Sequence, residues 1–467
     1  MEKDDIIQLH RHDGRRLIAE SATLFAHPYY QQFLAPFNDL VKATKDRANY
    51  KDPKRHLGMQ ISLLDSLKSL EQTASTGKKQ ARTDTKAAAE LVEQSKRNNY
   101  LSKAIKEIAD GIAWRTFGYD RFTMRILSQA QSPGHTWNKD GQATELKYAK
   151  IAASNGAFML LNDLTNCVRV GDITMAPKGI GDVPYLTELK KGKDPITVTT
   201  ILEKLDTKQA VTKQQLRMFQ AQAAITFRKF PVGKDDLDVT DVVVPLHDVI
   251  SGAGAIAKQA INKGAAARML TPYMRVEAMD IPKLMQLDYQ TVMDSLMRAE
   301  GTIIAEHTTY DHLITSANGE TERASPPYTI FPWPAEVITR VITGEVIIRC
   351  DILLEPLQEA FKAFGWELII DRDALERYEP STEQQAIADV TSALLFPPGS
   401  YEEMAELMWL RNSSGFRLSA FEFVVSMARE YLTVQHVVAV ANAFFLQATR
   451  GQAATVYHNI KDGRRWS

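Results

Sequence analysis

The chain has 467 residues, with 56 Lys and Arg against 57 Asp and Glu, so it carries almost no net charge. Hydrophobic residues make up 44% and charged residues 24%, which excludes a wholly disordered chain, a collagen-like chain and a coiled-coil rod. At about 150 residues per domain, this length predicts two or three domains. Two cysteines, Cys167 and Cys350, exclude a disulfide framework and a cysteine-rich zinc site, and favour a reducing compartment.

Membrane and secretion signals are not evident. The acidic start, Met1 to Asp5, lacks the apolar core of a signal peptide. The most apolar late stretch, Val434 to Ala448, contains His436 and Asn442 and is too short to span a bilayer. The sequence therefore predicts a cytoplasmic protein without a membrane anchor.

Charge is distributed unevenly along the chain. Residues 1–240 hold 37 Lys and Arg against 28 Asp and Glu, and residues 241–467 hold 19 against 29. A basic front could face a polyanion such as nucleic acid, but so modest an excess also fits an ordinary solvated surface. The acidic part could hold a protein partner or a second copy of the chain. The change of sign predicts a soft domain boundary near residue 240.

Helical periodicity dominates residues 1–120, which we expect to form a helical region. Apolar residues recur at helical spacing from Ile61 to Leu70 and from Leu101 to Ile112. The polar segment Thr73–Lys86 between them predicts a mobile connector, and the second helix should end near Gly118.

Residues 121–240 alternate between helix and strand patterns, and residues 241–467 are typical of a mixed α/β region. In the middle region we expect a helix over Gln142–Asp163, strands over Cys167–Met175, Val183–Lys190 and Ile196–Thr200, and a helix over Lys208–Lys229. In the last region the strand candidates are Thr302–Ala305, Val346–Arg349 and Glu367–Ile370, and the helix candidates are Leu357–Phe364 and Ser419–Leu432.

Two acids and a lysine in the middle region are spaced so that they can meet. Asp172 lies in the first predicted strand, and Glu188 and Lys190 lie two residues apart in the second. Side chains alternate across a strand, so Glu188 and Lys190 share a face, and a hairpin would bring Asp172 to it. Carboxylates bind Mg²⁺ or Mn²⁺, and an ammonium can orient water or stabilise negative charge. The set fits metal-dependent phosphodiester hydrolysis.

This pattern resembles the PD-(D/E)XK nuclease superfamily, which has the αβββαβ core of restriction endonucleases. Asp172 stands at the family's first acid, Glu188 at its second and Lys190 at its lysine, while Gly171 replaces the proline of the family name. The resemblance covers residues 100–240. It implies an α/β fold with this core over residues 121–240, a Mg²⁺ or Mn²⁺ ion held by Asp172 and Glu188, and cleavage of DNA, as in restriction or phage defence.

The resemblance implies further site residues. The family often has an acid on the preceding helix, where Glu145 is the best-placed candidate, and some members have a glutamine on the following helix. Gln214, Gln215 and Gln220 are all available there, and the sequence does not decide among them. We name Gln215 as the candidate catalytic glutamine. The cations nearest these elements are candidate phosphate contacts, namely Lys191, Lys193, Lys213 and Arg217.

Other interpretations stay open. Glu188 and Lys190 could form an ordinary ion pair on a surface hairpin, or the fold could bind nucleic acid or a partner without cutting, as a subunit of a larger complex. Trp333 lies between two prolines and could stack on bases or pack into a core. His307 and His312 could ligate a metal or lie in a solvated loop.

Overall fold

The computed structural model describes residues 28–84, 86–128, 141–177, 179, 184–189, 195–229, 248–284, 286, 309–314, 327–371 and 408–449. These residues form a mixed α/β protein in which helices outweigh strands. They divide into two compact units, and each unit combines separate stretches of the chain. The first unit takes the described residues within Glu20–Lys234 and Thr315–Val346, and the second takes those within Asp235–Ile314 and Ile347–Ser467.

The charge-based boundary near residue 240 lies close to the passage from the first unit to the second. Residues 327–346, however, belong with the first unit, although they come almost 100 residues later in the sequence. The predicted division into consecutive segments does not include this return of the chain to the first unit. The acidic C-terminal region of the sequence therefore contributes to both units.

The helices follow the chain in this order. They are α1 (Pro28–Lys45), α2 (Pro53–Gln80), α3 (Ala88–Thr116), α4 (Arg121–Ser128), α5 (Gln142–Ser154), α6 (Val198–Asp206), α7 (Lys213–Lys229), α8 (Asp248–Lys263), α9 (Ile281–Leu284), α10 (Ala335–Ile342), α11 (Leu354–Lys362), α12 (Phe421–Glu430) and α13 (Val434–Thr449). Short 3₁₀ turns lie at Arg47–Tyr50, Asn162–Leu164 and Tyr328–Ile330.

The strands form small sheets. They are β1 (Phe158–Leu161), β2 (Ile173–Ala176), β3 (Tyr185–Glu188), β4 (Ile196–Thr197), β5 (Ala265–Thr271), β6 (Met274–Asp280), β7 (Thr309–Ile314), β8 (Val346–Leu353), β9 (Trp366–Ile370), β10 (Met408–Asn412) and β11 (Arg417–Ser419). The first unit holds an antiparallel sheet of order β1-β2-β3-β4. The second unit holds sheets of order β5-β6-β8-β7 and β11-β10-β9.

Helices α2 and α3 supply much of the first unit's core. Their apolar stripes are largely buried, as the periodicity predicts: Leu67 of α2 and Ile105 and Ile108 of α3 are not exposed at all, whereas Ile61 is only partly buried. Helix α3 ends at Thr116, close to the expected position, and Gly118 then adopts a left-handed φ of 65°. The expectation of a helical N-terminal region is therefore met by the described residues.

The expectation of a mobile connector over Thr73–Lys86 is wrong for its first half, because α2 continues to Gln80. Small residues let the two helices approach there. A Cβ atom added to Gly77 would lie 2.9 Å from the Ser95 hydroxyl oxygen, and that hydroxyl donates to the Ala74 carbonyl at 3.0 Å. The polar composition that favours a loop is the exposed face of a helix whose other face is packed.

The predicted helix over Gln142–Asp163 is also too long. Helix α5 ends at Ser154 in a Schellman arrangement, in which the Ala157 amide donates to the Ala152 carbonyl at 3.0 Å. Gly156 permits this turn with a φ of 88°. The chain then forms β1, a buried strand that the sequence pattern does not separate from the helix.

Further along, the strands are shorter than expected, and the helix expected over Lys208–Lys229 begins later. Of the third predicted strand, Ile196 and Thr197 form β4, while the next residues begin α6 with Thr197 as its N-cap. Helix α7 begins at Lys213, where Thr212 and Gln215 cap it reciprocally, each side chain accepting from the other's backbone amide at 3.2 Å. The helix expected over Lys208–Lys229 therefore lacks its first turn.

The second unit contains four of the five elements predicted after residue 240. Strands β8 and β9 include the candidates Val346–Arg349 and Glu367–Ile370, and helices α11 and α12 account for the two helix candidates. The candidate Thr302–Ala305 lies outside the described residues.

A buried ion network joins β6 to β8 in the second unit. Arg275 pairs with Glu277 and donates to the Asp351 carboxylate at 3.1 Å, and Arg349 donates to the other oxygen of Asp351 at 2.7 Å. Asp351 is fully buried. Buried charges are tolerated when they are paired and hydrogen-bonded in this way.

A buried histidine and a glutamine of α2 hold the outer edge of β1. The Gln60 amide donates to the Met159 carbonyl at 2.6 Å and accepts from the Leu161 amide at 2.9 Å. It also lies 3.2 Å from Nδ1 of His56, which is fully buried. The Thr116 hydroxyl donates to the Ile112 carbonyl, so Nε2 of His56 donates to Thr116 and Nδ1 accepts from Gln60. The ring is therefore neutral.

We expect this histidine to make stability depend on pH. Burial lowers the pKa of His56 from 6.5 to about 4, so the unfolded chain gains a proton at a higher pH than the folded chain. The neutral His56 ring therefore contributes fully to the free energy of unfolding above pH 6.5, and this contribution is lost as the pH falls towards 4. From about pH 8 to about pH 5, the wild type should lose about 2 kcal/mol more unfolding free energy than His56→Gln loses, as measured by urea denaturation. Identical pH dependence in the two proteins would contradict a neutral buried ring.

Candidate active site

Asp172 immediately precedes β2, and Glu188 ends β3, the neighbouring strand of the sheet. Ile173 pairs with Thr187, and the Asp172 amide donates to the Thr187 carbonyl at 2.9 Å, so the ladder becomes irregular at Asp172, beside the end of β3. The Leu189 amide donates to the Asp172 carboxylate at 2.7 Å. The first acid of the sequence pattern therefore lies against the residue that follows the second acid.

A buried asparagine holds the backbone that carries Asp172. The Asn162 side chain donates to the carbonyls of Val170 and Gly171 at 2.9 and 3.2 Å, and its backbone amide donates to the Asp172 carbonyl at 3.2 Å. Its own side-chain oxygen accepts from the Thr174 hydroxyl at 2.9 Å. Asn162 thus fixes the turn before β2 from both sides.

Asp110 of α3 holds the preceding part of the same loop. Its carboxylate accepts from the backbone amides of Asn166 and Cys167 at 2.7 and 3.0 Å. Burial raises the pKa of Asp110, and these hydrogen bonds oppose the rise. Since side chains already bind the backbone at 166–171, the strand predicted from Cys167 is wrong there, and β2 begins at Ile173.

Gly171 has a positive φ of 75°, which explains why proline does not stand before Asp172. Proline fixes φ near −65°, so it could not form this turn. A Cβ atom on Gly171 would also lie 3.1 Å from the Thr187 carbonyl oxygen. The turn therefore needs glycine both for its conformation and for its close approach to β3.

Glu188 ends β3 and is 2% exposed, whereas Asp172 is half-buried. A buried carboxylate is unfavourable unless hydrogen bonds, a counter-charge or a metal ion compensate for its lost hydration. Carboxylates are hard oxygen donors, so Asp172 and Glu188 are of the residue type that a divalent cation prefers.

A glutamine of α7 that sequence reasoning missed fixes β3 itself. The Gln222 amide accepts from the Leu186 amide at 2.9 Å and donates to the Pro184 carbonyl at 2.6 Å. The side chain thus pairs with β3 much as a neighbouring strand would. Nothing in the sequence distinguishes Gln222 from the other glutamines of this helix.

Of the remaining predicted site residues, some lie outside the described residues and others are buried. Lys190, Lys191 and Lys193 lie outside the described residues. Glu145 lies in the first turn of α5 and is buried. Gln215 is buried, and its side-chain oxygen accepts the Thr212 amide at the start of α7, so capping accounts for at least part of its role.

Lys213 and Arg217, two of the candidate phosphate contacts, are exposed on α7. Trp333 is 1% exposed and stacks on Tyr328 with ring centroids 5.5 Å apart. A nucleobase cannot reach this ring, so Trp333 packs in the core. His307 lies outside the described residues, and His312 lies in β7 opposite Cys350.

Within the described ranges, no group of three or more His, Cys, Asp or Glu side chains is arranged to hold a metal ion. Two carboxylates nevertheless suffice for Mg²⁺, which usually keeps several water ligands. The same part of the chain contains no helix that is long and apolar enough to cross a membrane.

No protein-family model, curated protein or solved structure matches the chain. We therefore infer the function from the residues of this site and from their geometry.

Gly171→Ala tests the tight turn, with Gly156→Ala as its matched control. Both glycines have a positive φ, but a Cβ atom at Gly156 meets nothing within 4 Å. We expect Gly156→Ala to cost about 1 kcal/mol of unfolding free energy, from backbone strain alone, and Gly171→Ala about 1 kcal/mol more. Urea denaturation measures both losses. Equal losses would show that the approach of Gly171 to Thr187 does not constrain the turn.

Proposed function

We propose that this protein is a metal-dependent nuclease that hydrolyses phosphodiester bonds, with DNA as its substrate. The observation that carries the proposal is the 2.7 Å hydrogen bond from the Leu189 amide to the Asp172 carboxylate. It holds one acid of the pattern beside the strand end that carries the other, Glu188.

The order of the surrounding elements supports the same proposal. Helix α5 precedes β1, β2 and β3, these three strands pair antiparallel in chain order, and β4, α6 and α7 follow them. The resemblance to PD-(D/E)XK nucleases implies an αβββαβ core, and this order shares its first helix, its three strands and a following helix, with β4 and α6 between the strands and α7. Asp172 immediately precedes the second strand and Glu188 ends the third. Strand β1, which the sequence pattern does not reveal, completes this order.

Asp172 and Glu188 are the residues that would hold Mg²⁺ or Mn²⁺. When bound, such an ion lowers the pKa of a coordinated water and stabilises charge on the phosphate. The protein's contribution is placement, because Asn162 and Gly171 set the backbone of Asp172 and Gln222 sets that of β3. Lys190, two residues after Glu188, would orient the attacking water or stabilise the developing negative charge.

Two further features agree with this proposal. Lys213 and Arg217 are exposed on α7, where they could contact phosphates flanking the scissile bond. Cys167 and Cys350 are buried free thiols, and burial raises the pKa of the Cys167 thiol, so it is not an activated nucleophile. We infer a cytoplasmic setting, in which thiols remain reduced.

The test is a cleavage assay on circular and linear DNA with Mg²⁺, Mn²⁺ or EDTA. Asp172→Asn and Glu188→Gln should each lower the cleavage rate by about 10²-fold or more and weaken metal binding. Lys190→Ala should lower the rate on a similar scale while metal and DNA binding persist.

Asp206→Asn is the matched control, because it removes an exposed carboxylate at the end of α6 and should leave cleavage unchanged. Thermal melts must show that all variants stay folded. Cleavage at the wild-type rate by Asp172→Asn and Glu188→Gln would contradict the proposal. DNA binding by a wild type that cleaves with neither metal would favour a nuclease-like binding protein instead.

A further inference from the structure

The turn between α2 and α3 concentrates positive charge at the end of a long helical hairpin. Residues 77–87 hold four cations and a single acid. The cations are Lys78, Lys79, Arg82 and Lys86, all exposed, and we call them the basic tip. The acid, Asp84, accepts from the backbone amides of residues 86 and 87 at 3.0 and 3.2 Å, so its carboxylate is engaged in the turn that precedes α3.

The hairpin is held in a fixed shape up to the tip. Gly77 approaches Ser95 so closely that a Cβ atom there would lie 2.9 Å from the hydroxyl oxygen. The Ser95 hydroxyl donates across the hairpin to Ala74. The basic tip is therefore presented by two packed helices, and its position is set by the same α2 whose Gln60 bonds β1.

The tip also stands well away from that contact. Lys79 follows Gln60 by 19 residues along α2, which corresponds to about 28 Å of helix. A mononucleotide could not span this length of helix, whereas a polymer of phosphodiesters could.

Local helix electrostatics explains part of the tip but not all of it. Cations in the last turn of a helix interact favourably with the helix dipole, which accounts for Lys78 and Lys79. Arg82 lies beyond the end of α2, and Lys86 lies two residues before α3, where the dipole disfavours a cation. Among the described residues, no ion pair joins any of the four to a carboxylate.

We propose that the basic tip binds the phosphodiester backbone of a nucleic acid at a site separate from Asp172 and Glu188. This rests on the proposed function in assigning nucleic acid as the substrate, and it adds that the substrate is a polymer which spans both places. The contact is with phosphates, so it stabilises binding without reading sequence.

The test measures binding in the presence of EDTA, so that metal-dependent cleavage does not destroy the probe. Fluorescence anisotropy follows the full chain on a labelled DNA duplex of about 30 base pairs and on an RNA strand of similar length, over a range of salt concentrations. The tip variant is Lys78→Gln, Lys79→Gln and Arg82→Gln. The control variant removes three exposed cations elsewhere on the same unit, Lys51→Gln, Lys54→Gln and Lys103→Gln.

The wild type should bind at least one probe with a steep salt dependence. Log K falls with log salt, and on that probe the magnitude of this slope should be smaller by about 2 to 3 units in the tip variant. Each lost phosphate contact reduces the magnitude by about 0.9 on a duplex and by about 0.7 on a single strand. The control variant should keep the wild-type slope.

An unchanged slope in the tip variant, an equal loss in the control variant, or no binding by the wild type would overturn the proposal. Since the assay contains no metal, a protein that never cleaves can still support the basic tip. A cleaving protein whose tip variant binds normally would overturn the tip and leave the nuclease proposal intact.

Discussion

The backbone between β1 and β2 must satisfy its polar groups without a neighbouring strand, and the placement of Asp172 depends on how it does so. Asn162 binds two carbonyls of this loop and Asp110 binds two of its amides. Because unpaired buried polar groups are costly, these contacts leave the loop little freedom. Gly171 then turns the chain beside Thr187, and Asp172 enters the sheet next to the end of β3.

Side-chain amides replace missing strands at two places in the same sheet. Gln60 bonds the outer edge of β1, and Gln222 bonds β3 before the point at which β4 begins to pair with it. Each amide both donates and accepts, as a backbone group in a strand does. In this way α2 and α7 set the positions of strands whose own ladders are short.

Periodicity in the sequence predicts α2 and α3 because their buried faces repeat every three or four residues, from Leu63 to Leu70 and from Leu101 to Ile112. It also predicts the neighbourhood of Asp172 and Glu188, since alternation and a hairpin follow from strand patterns alone. It misses β1, because Phe158–Leu161 is apolar on every residue and reads as a continuation of α5. Contacts between distant residues, such as those of Asn162 and Gln222, leave no local pattern in a single sequence.

The central claim is that Asp172 and Glu188 together bind a divalent cation. Anomalous diffraction from crystals soaked in Mn²⁺ tests it directly, because it locates the ion without reference to activity. The account predicts an anomalous peak within about 2.5 Å of a carboxylate oxygen of each residue, and no peak there in Asp172→Ala crystals. A peak only at other residues, or a peak that persists in Asp172→Ala, would contradict it.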